Sequence, residues 1–74
     1  MATESEVKEA IKVILSDEKA YKTSLNYAVN YCKAGLQMSG NELYVQTLHI
    51  LNNISHWRHP KAKSVRQTLK AYKV

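Results

Sequence analysis

The stretch Leu43–Trp57, LYVQTLHILNNISHW, constrains the fold more than any other part of the chain. Followed at about 100° per residue, Leu43, Tyr44, Leu48, Ile50, Leu51, Ile54 and Trp57 cover about half the circumference of a helix. That is wider than the stripe of a surface helix, so the pattern predicts a helix buried against every other element. The opposite side carries Gln46, His49, Asn53 and His56 at i, i+3, i+7 and i+10, a polar row without formal charge.

The remaining helices are predicted around this one. Thr3-x-x-Glu6 reads as a capping box that opens a first helix running to about Leu15, with Val7, Ala10, Ile11 and Ile14 inward. Apolar spacing continues through Ser16-Asp17, since Val7, Ile14, Tyr21 and Ala28 lie seven apart. An unbroken helix from Glu4 to Met38 would be about 50 Å long. That is too long for one small domain, so a break at Ser16-Asp17 is expected; a coiled-coil dimer is the alternative. A second helix then spans roughly Glu18 to Met38, with Tyr21, Leu25, Ala28, Val29, Cys32 and Leu36 inward. Tyr27 and Tyr31 lie on its flank, rings covered and hydroxyls wet, and Gly35 is expected to loosen its last turn. Gly40 suits a left-handed cap, and Ser39-x-x-Glu42 reads as a second capping box opening the third helix. Pro60 ends that helix near Ser55–Trp57 and starts a fourth, about Pro60 to Tyr72, with Ala62, Val65, Leu69 and Tyr72 inward. The fold class is therefore all-α: three to four helices packed up and down about the third, as one domain over residues 1–74.

A chain of 74 residues buries only about 60% of its unfolded surface, so its core is small and a homodimer would enlarge it. No deep cleft for a small-molecule substrate is expected. Cys32 is the only cysteine, which excludes an internal disulfide and points to a reducing, cytoplasmic setting. The start, Met1-Ala2-Thr3-Glu4, lacks a charged leader with an apolar segment. No apolar run exceeds three residues, as in Val13–Leu15, so no membrane partner is expected.

The net charge of +5 is placed unevenly. Residues 1–42 hold five Lys and six acids, whereas residues 43–74 hold Arg58, Lys61, Lys63, Arg66, Lys70 and Lys73 and no acid. Within the fourth helix, Lys63, Arg66, Lys70 and Lys73 recur at i, i+3, i+7 and i+10, so one face can track phosphates, with Arg58 and Lys61 adding charge at its start. The plainer reading is a solvated face whose cations suit the C-terminal end of the helix dipole. The third and fourth helices together suggest a helix-turn-helix, although Ser55–Pro60 is long for its turn and lacks its Gly.

Gln46, His49, Asn53 and His56 offer amides and imidazoles to base edges or to a protein partner. His56-x-x-His59, His49 and Cys32 contain metal-binding atoms, but His49 and His56 are two turns apart, about 10 Å along the axis, too far for one ion. Cys32 on an apolar face reads as a small buried hydrophobe, and Trp57 as the closure of the core between the third and fourth helices. There is no Gly-rich phosphate loop, and the acids stand mostly at helix starts. No enzyme, cofactor or metal is expected.

From Leu51 to Tyr72, LNNISHWRHPKAKSVRQTLKAY is similar to a pattern in small helical proteins of phages and integrated prophages: an Asn-rich helix end, a Trp-Arg pair, then an amphipathic basic helix with Val-x-x-x-Leu. The resemblance covers under a third of the chain. It implies a mobile-element origin and assigns no site residues. The leading expectation is a non-enzymatic protein that contacts nucleic acid through its basic C-terminal helix. The rival is a protein–protein module or homodimer using Trp57, Tyr27, Tyr31 and the uncharged row.

Overall fold

The structure, a computed structural model, describes residues 2–23 and 25–73. Four helices follow one another: α1 (Glu4–Ser16), α2 (Ala28–Gly35), α3 (Gly40–Asn52) and α4 (Ala62–Ala71), with one 3₁₀ turn at Glu18–Ala20. They form a closed ring of neighbours in which α2 and α4 each lie between α1 and α3. Val7, Ile11, Ile14, Leu25, Leu43, Ile50, Ile54, Trp57 and Leu69 are buried at the centre. The third helix thus shares the core with α1, whose Val7, Ile11 and Ile14 are fully covered.

The capping box at the start of α1 forms as expected. The Glu6 N–H donates to Thr3 Oγ1 at 3.2 Å, and the Thr3 N–H donates to Glu6 Oε1 at 2.9 Å. That Thr3 N–H holds the Glu6 carboxyl below its ordinary value. The helix stops at Ser16, and Asp17 turns out of helical geometry at φ −90°, ψ 69°. The longest dimension of the fold is 31 Å, which the expected break makes possible.

The second helix differs from the expected Glu18–Met38. Its first half is a compact turn. The Leu25 N–H donates to the Ala20 carbonyl at 2.9 Å, Leu25 is fully buried, and the Tyr21 hydroxyl donates to the Leu15 carbonyl. Thr23 also turns its hydroxyl to the Ala20 carbonyl at 3.3 Å, a local bond that competes with helix. Only Ala28–Gly35 is α-helical, with Ala28 and Cys32 buried. Gly35 does not loosen this helix; it lets it approach its neighbours. A Cβ there would stand 3.2 Å from Ile11 Cδ1 and 3.4 Å from Gln46 Cγ.

The second capping box does not form, because Ser39 makes no side-chain bond to α3. The Glu4 carboxylate of α1 takes its place and accepts the Gly40 N–H at 3.0 Å. Gly40 adopts φ +56°, the left-handed conformation that its sequence position suggested, here at the start of α3. Its carbonyl accepts the Tyr72 hydroxyl at 3.3 Å, and the Ala2 N–H donates to the Ala71 carbonyl at 3.2 Å. The beginnings of α1 and α3 and the end of α4 are thereby tied at one end of the bundle.

Helix α3 ends at Asn52, before Ser55–Trp57. On its expected apolar side Leu43, Ile50 and Ile54 are buried, Tyr44 and Leu51 are half-buried, and Leu48 is exposed. The covered arc is rotated toward Gln46 and Thr47, both buried, because α2 packs on that side. Thr47 satisfies its hydroxyl by donating to the Tyr44 carbonyl at 2.6 Å.

Candidate nucleic-acid interface

The apolar positions of α4 fix where its cations go. Ala62, Val65, Leu69 and Tyr72 are buried, which turns Lys63 and Lys70 into solvent on the outer face. Arg58 and Lys61 are exposed in the connection before α4, and Lys73 is exposed just beyond it. Arg66 belongs to the same row but has another role. It is half-buried, and its Nη1 donates to the carbonyls of Ile54 at 3.3 Å and Trp57 at 3.2 Å. Both carbonyls lie beyond the last turn of α3, and that of Ile54 also accepts the Trp57 N–H at 3.1 Å. Arg66 thus fastens the α3–α4 connection and leaves Arg58, Lys61, Lys63, Lys70 and Lys73 as the exposed set.

That connection, Asn53–Lys61, is an ordered strap with its own anchors. Trp57 is buried, as expected, and its Nε1–H donates to Asp17 Oδ2 at 2.7 Å. The His59 ring stacks on the indole with centroids 5.2 Å apart, and His59 Nδ1 accepts the Lys61 N–H at 3.1 Å. The strap is longer and more deeply anchored than a helix-turn-helix connection. Buried Trp57 is also removed from the set of surfaces a protein partner could grip.

The Trp57–Asp17 bond brings together charges that are far apart in sequence. It seats the strap against the junction after α1, where Lys19 and Lys22 are exposed. One end of the bundle therefore presents Lys19, Lys22, Arg58, Lys61 and Lys63. Its acids are Glu18 and Asp17, the latter bonded to Trp57. The opposite end holds Glu4, Glu6 and Glu42. Sequence reasoning missed Lys19 and Lys22 because they belong to the near-neutral half of the chain. The usable signal was the turn-prone stretch around Thr23 and Asn26, which marks a loop at a helix end.

Among the described residues the one ion pair is Lys12 with Glu9 at 3.4 Å, so none of the exposed cations of this end is neutralised by a carboxylate. Between α1 and α4 lies an open groove of about 340 Å³ lined by Ala10, Val13 and Val65, with Glu6 and Glu9 from α1 and Lys61 from the start of α4. Its two carboxylates outnumber its one cation, which disfavours a phosphate inside the groove.

The uncharged row is divided rather than united. Gln46 is buried, and its Nε2 donates to the Tyr31 carbonyl at 2.8 Å, so it fastens α3 to α2 instead of facing a ligand. Asn53 is half-buried and donates to the His49 carbonyl at 2.8 Å, closing the end of α3. His49 is exposed and stacks on Tyr31 with centroids 5.3 Å apart and planes 13° apart. His56 is exposed in the strap. Burial pushes the Cys32 thiol up to about 12, which keeps it protonated at neutral pH. Among the described residues no three His, Cys, Asp or Glu side chains gather to hold a metal ion, and no helix is long and apolar enough to cross a membrane.

No known protein family, curated protein or solved structure matches this chain.

Proposed function

We propose that this chain is a non-enzymatic, cytoplasmic nucleic-acid-binding protein. It contacts phosphates through Arg58, Lys61, Lys63, Lys70 and Lys73, extended by Lys19 and Lys22. The observation that carries this reading is the absence of acidic partners for these exposed cations among the described residues. At the end that holds Lys19, Lys22, Arg58, Lys61 and Lys63 the acids are Glu18 and Asp17, and Asp17 is engaged by the Trp57 Nε1–H; Lys70 and Lys73 lie toward the other end of α4, which is tied to the starts of α1 and α3. The like charges of Lys19, Lys22, Arg58, Lys61 and Lys63 at one end repel one another, and a polyanion relieves that repulsion while releasing its own counterions. A phage or prophage origin, suggested by residues 51–72, belongs to the same proposal.

The test is charge reversal at exposed positions. Arg58→Glu with Lys61→Glu, and separately Lys63→Glu with Lys70→Glu, should each abolish binding to a labelled oligonucleotide while leaving the helical circular-dichroism spectrum intact. Unchanged affinity in both variants would remove this surface as the contact.

A further inference from the structure

Tyr27 is the most exposed large apolar side chain among the described residues, at 72%, although its neighbours Leu25 and Ala28 are fully buried. A phenol on the flank of a helix ordinarily covers its ring and leaves only its hydroxyl wet. Here the ring itself is left in solvent. It stands at the start of α2, at the end of the bundle that presents Lys19, Lys22, Arg58 and Lys61. One turn further along, Tyr31 lies on the same side of α2, with its ring held by the stack on His49. Gln46 locks the backbone of that turn through the Tyr31 carbonyl.

We infer that Tyr27, followed by the Tyr31–His49 stack, is a platform for unpaired bases, and that the ligand class is single-stranded nucleic acid. The inference rests on the phosphate-binding reading above and adds the strand form. Exposed aromatic rings beside cations bind single strands because every unpaired base offers a free face, whereas a duplex keeps its base faces inside its own stack. In α4 the middle cation, Arg66, is tied to the Ile54 and Trp57 carbonyls and so is withdrawn from a ligand. Phosphates of the strand would run over Lys19, Lys22 and Arg58, with successive bases on Tyr27 and Tyr31.

The test compares a labelled oligo-dT with a labelled blunt duplex of the same charge per strand, using wild-type protein, Tyr27→Ala and Tyr27→Trp. Wild type should prefer the single strand. Tyr27→Ala should weaken single-strand binding by about 5- to 150-fold, the effect of one stacked base, with an unchanged slope against salt because no charge is lost. Tyr27→Trp should retain or improve it, and duplex binding should not respond to either variant. Wild-type preference for duplex, or single-strand affinity indifferent to Tyr27→Ala, would overturn the strand assignment and leave phosphate contact standing. Binding of neither form by wild type would overturn both. The Tyr27 side chain is so exposed that its removal should leave the fold intact, and an unchanged unfolding midpoint confirms that any loss of binding is local.

Discussion

Arg66→Met separates the cation that holds the fold from those that face solvent. Methionine keeps the length and apolar stem of the side chain and removes two bonds from a charged donor to the Ile54 and Trp57 carbonyls. Such bonds contribute about 1.5–3 kcal/mol each where water is excluded. Arg66 is half-buried, so water can replace part of both, and the combined loss should be about 1–2 kcal/mol. For a domain of this length, total stability is about 4–11 kcal/mol, and each kcal/mol moves the midpoint by about 4–8 °C. The assay is urea unfolding followed by fluorescence of Trp57, the sole tryptophan, which is buried in the native state and sits beside the bonds being removed. Lys63→Met and Lys70→Met, on the exposed face, serve as controls and should stay within about 0.5 kcal/mol. If Arg66→Met matched these controls, the carbonyl contacts would contribute nothing to the strap, and Arg66 would return to the solvent-facing set.

Ile50→Ala should cost about 2–5 kcal/mol in the same assay, whereas Leu48→Ala, at an exposed position of the same helix, should stay within about 0.5 kcal/mol. A similar loss at both would mean that α3 does not turn Ile50 inward and Leu48 outward. Alkaline pH should unfold the protein in a defined window. Burial raises the Cys32 thiol from 9.0 to about 12, and burial first, then nearby acids, raises the Tyr21 and Tyr72 hydroxyls above 10.0. The folded state holds these protons more tightly, so the stability they contribute is full below about pH 9 and is lost progressively as pH rises above it. Urea midpoints that stay flat from pH 8 to pH 11 would contradict that linkage. At the acid side the lowered Glu6 works in the opposite sense, and its contribution disappears as pH falls through its depressed value.

Helices α1, α3 and α4 were legible because their signals are local, whereas only Ala28–Gly35 of the expected second helix is α-helical. The Thr3–Glu6 box, the seven-residue spacing of Val7 and Ile14, and the Val65–Leu69 face of α4 each depend on residues within two turns. What escaped depends on contacts across the bundle. Ser39-x-x-Glu42 is a valid box on paper, yet Glu4, distant in sequence, reaches the Gly40 N–H in its place. Gln46 sat in a row of polar residues and reads as surface, but a backbone carbonyl of α2 gives its amide a buried partner. Arg66 and Lys63 are indistinguishable by helical position, and only the carbonyls exposed by the early end of α3 tell them apart. Gathering Lys19 and Lys22 beside Arg58 likewise required the Trp57–Asp17 bond, which no spacing rule encodes.

Phosphate contact by free cations is tested most directly by titrating a fluorescent single-stranded oligonucleotide with the protein at about 50 and about 200 mM salt. Four or five neutralised phosphates should weaken binding roughly 50- to 130-fold between the two conditions. Binding that is absent at the lower salt, or that is tight and indifferent to salt, would contradict a phosphate-contacting surface on this protein.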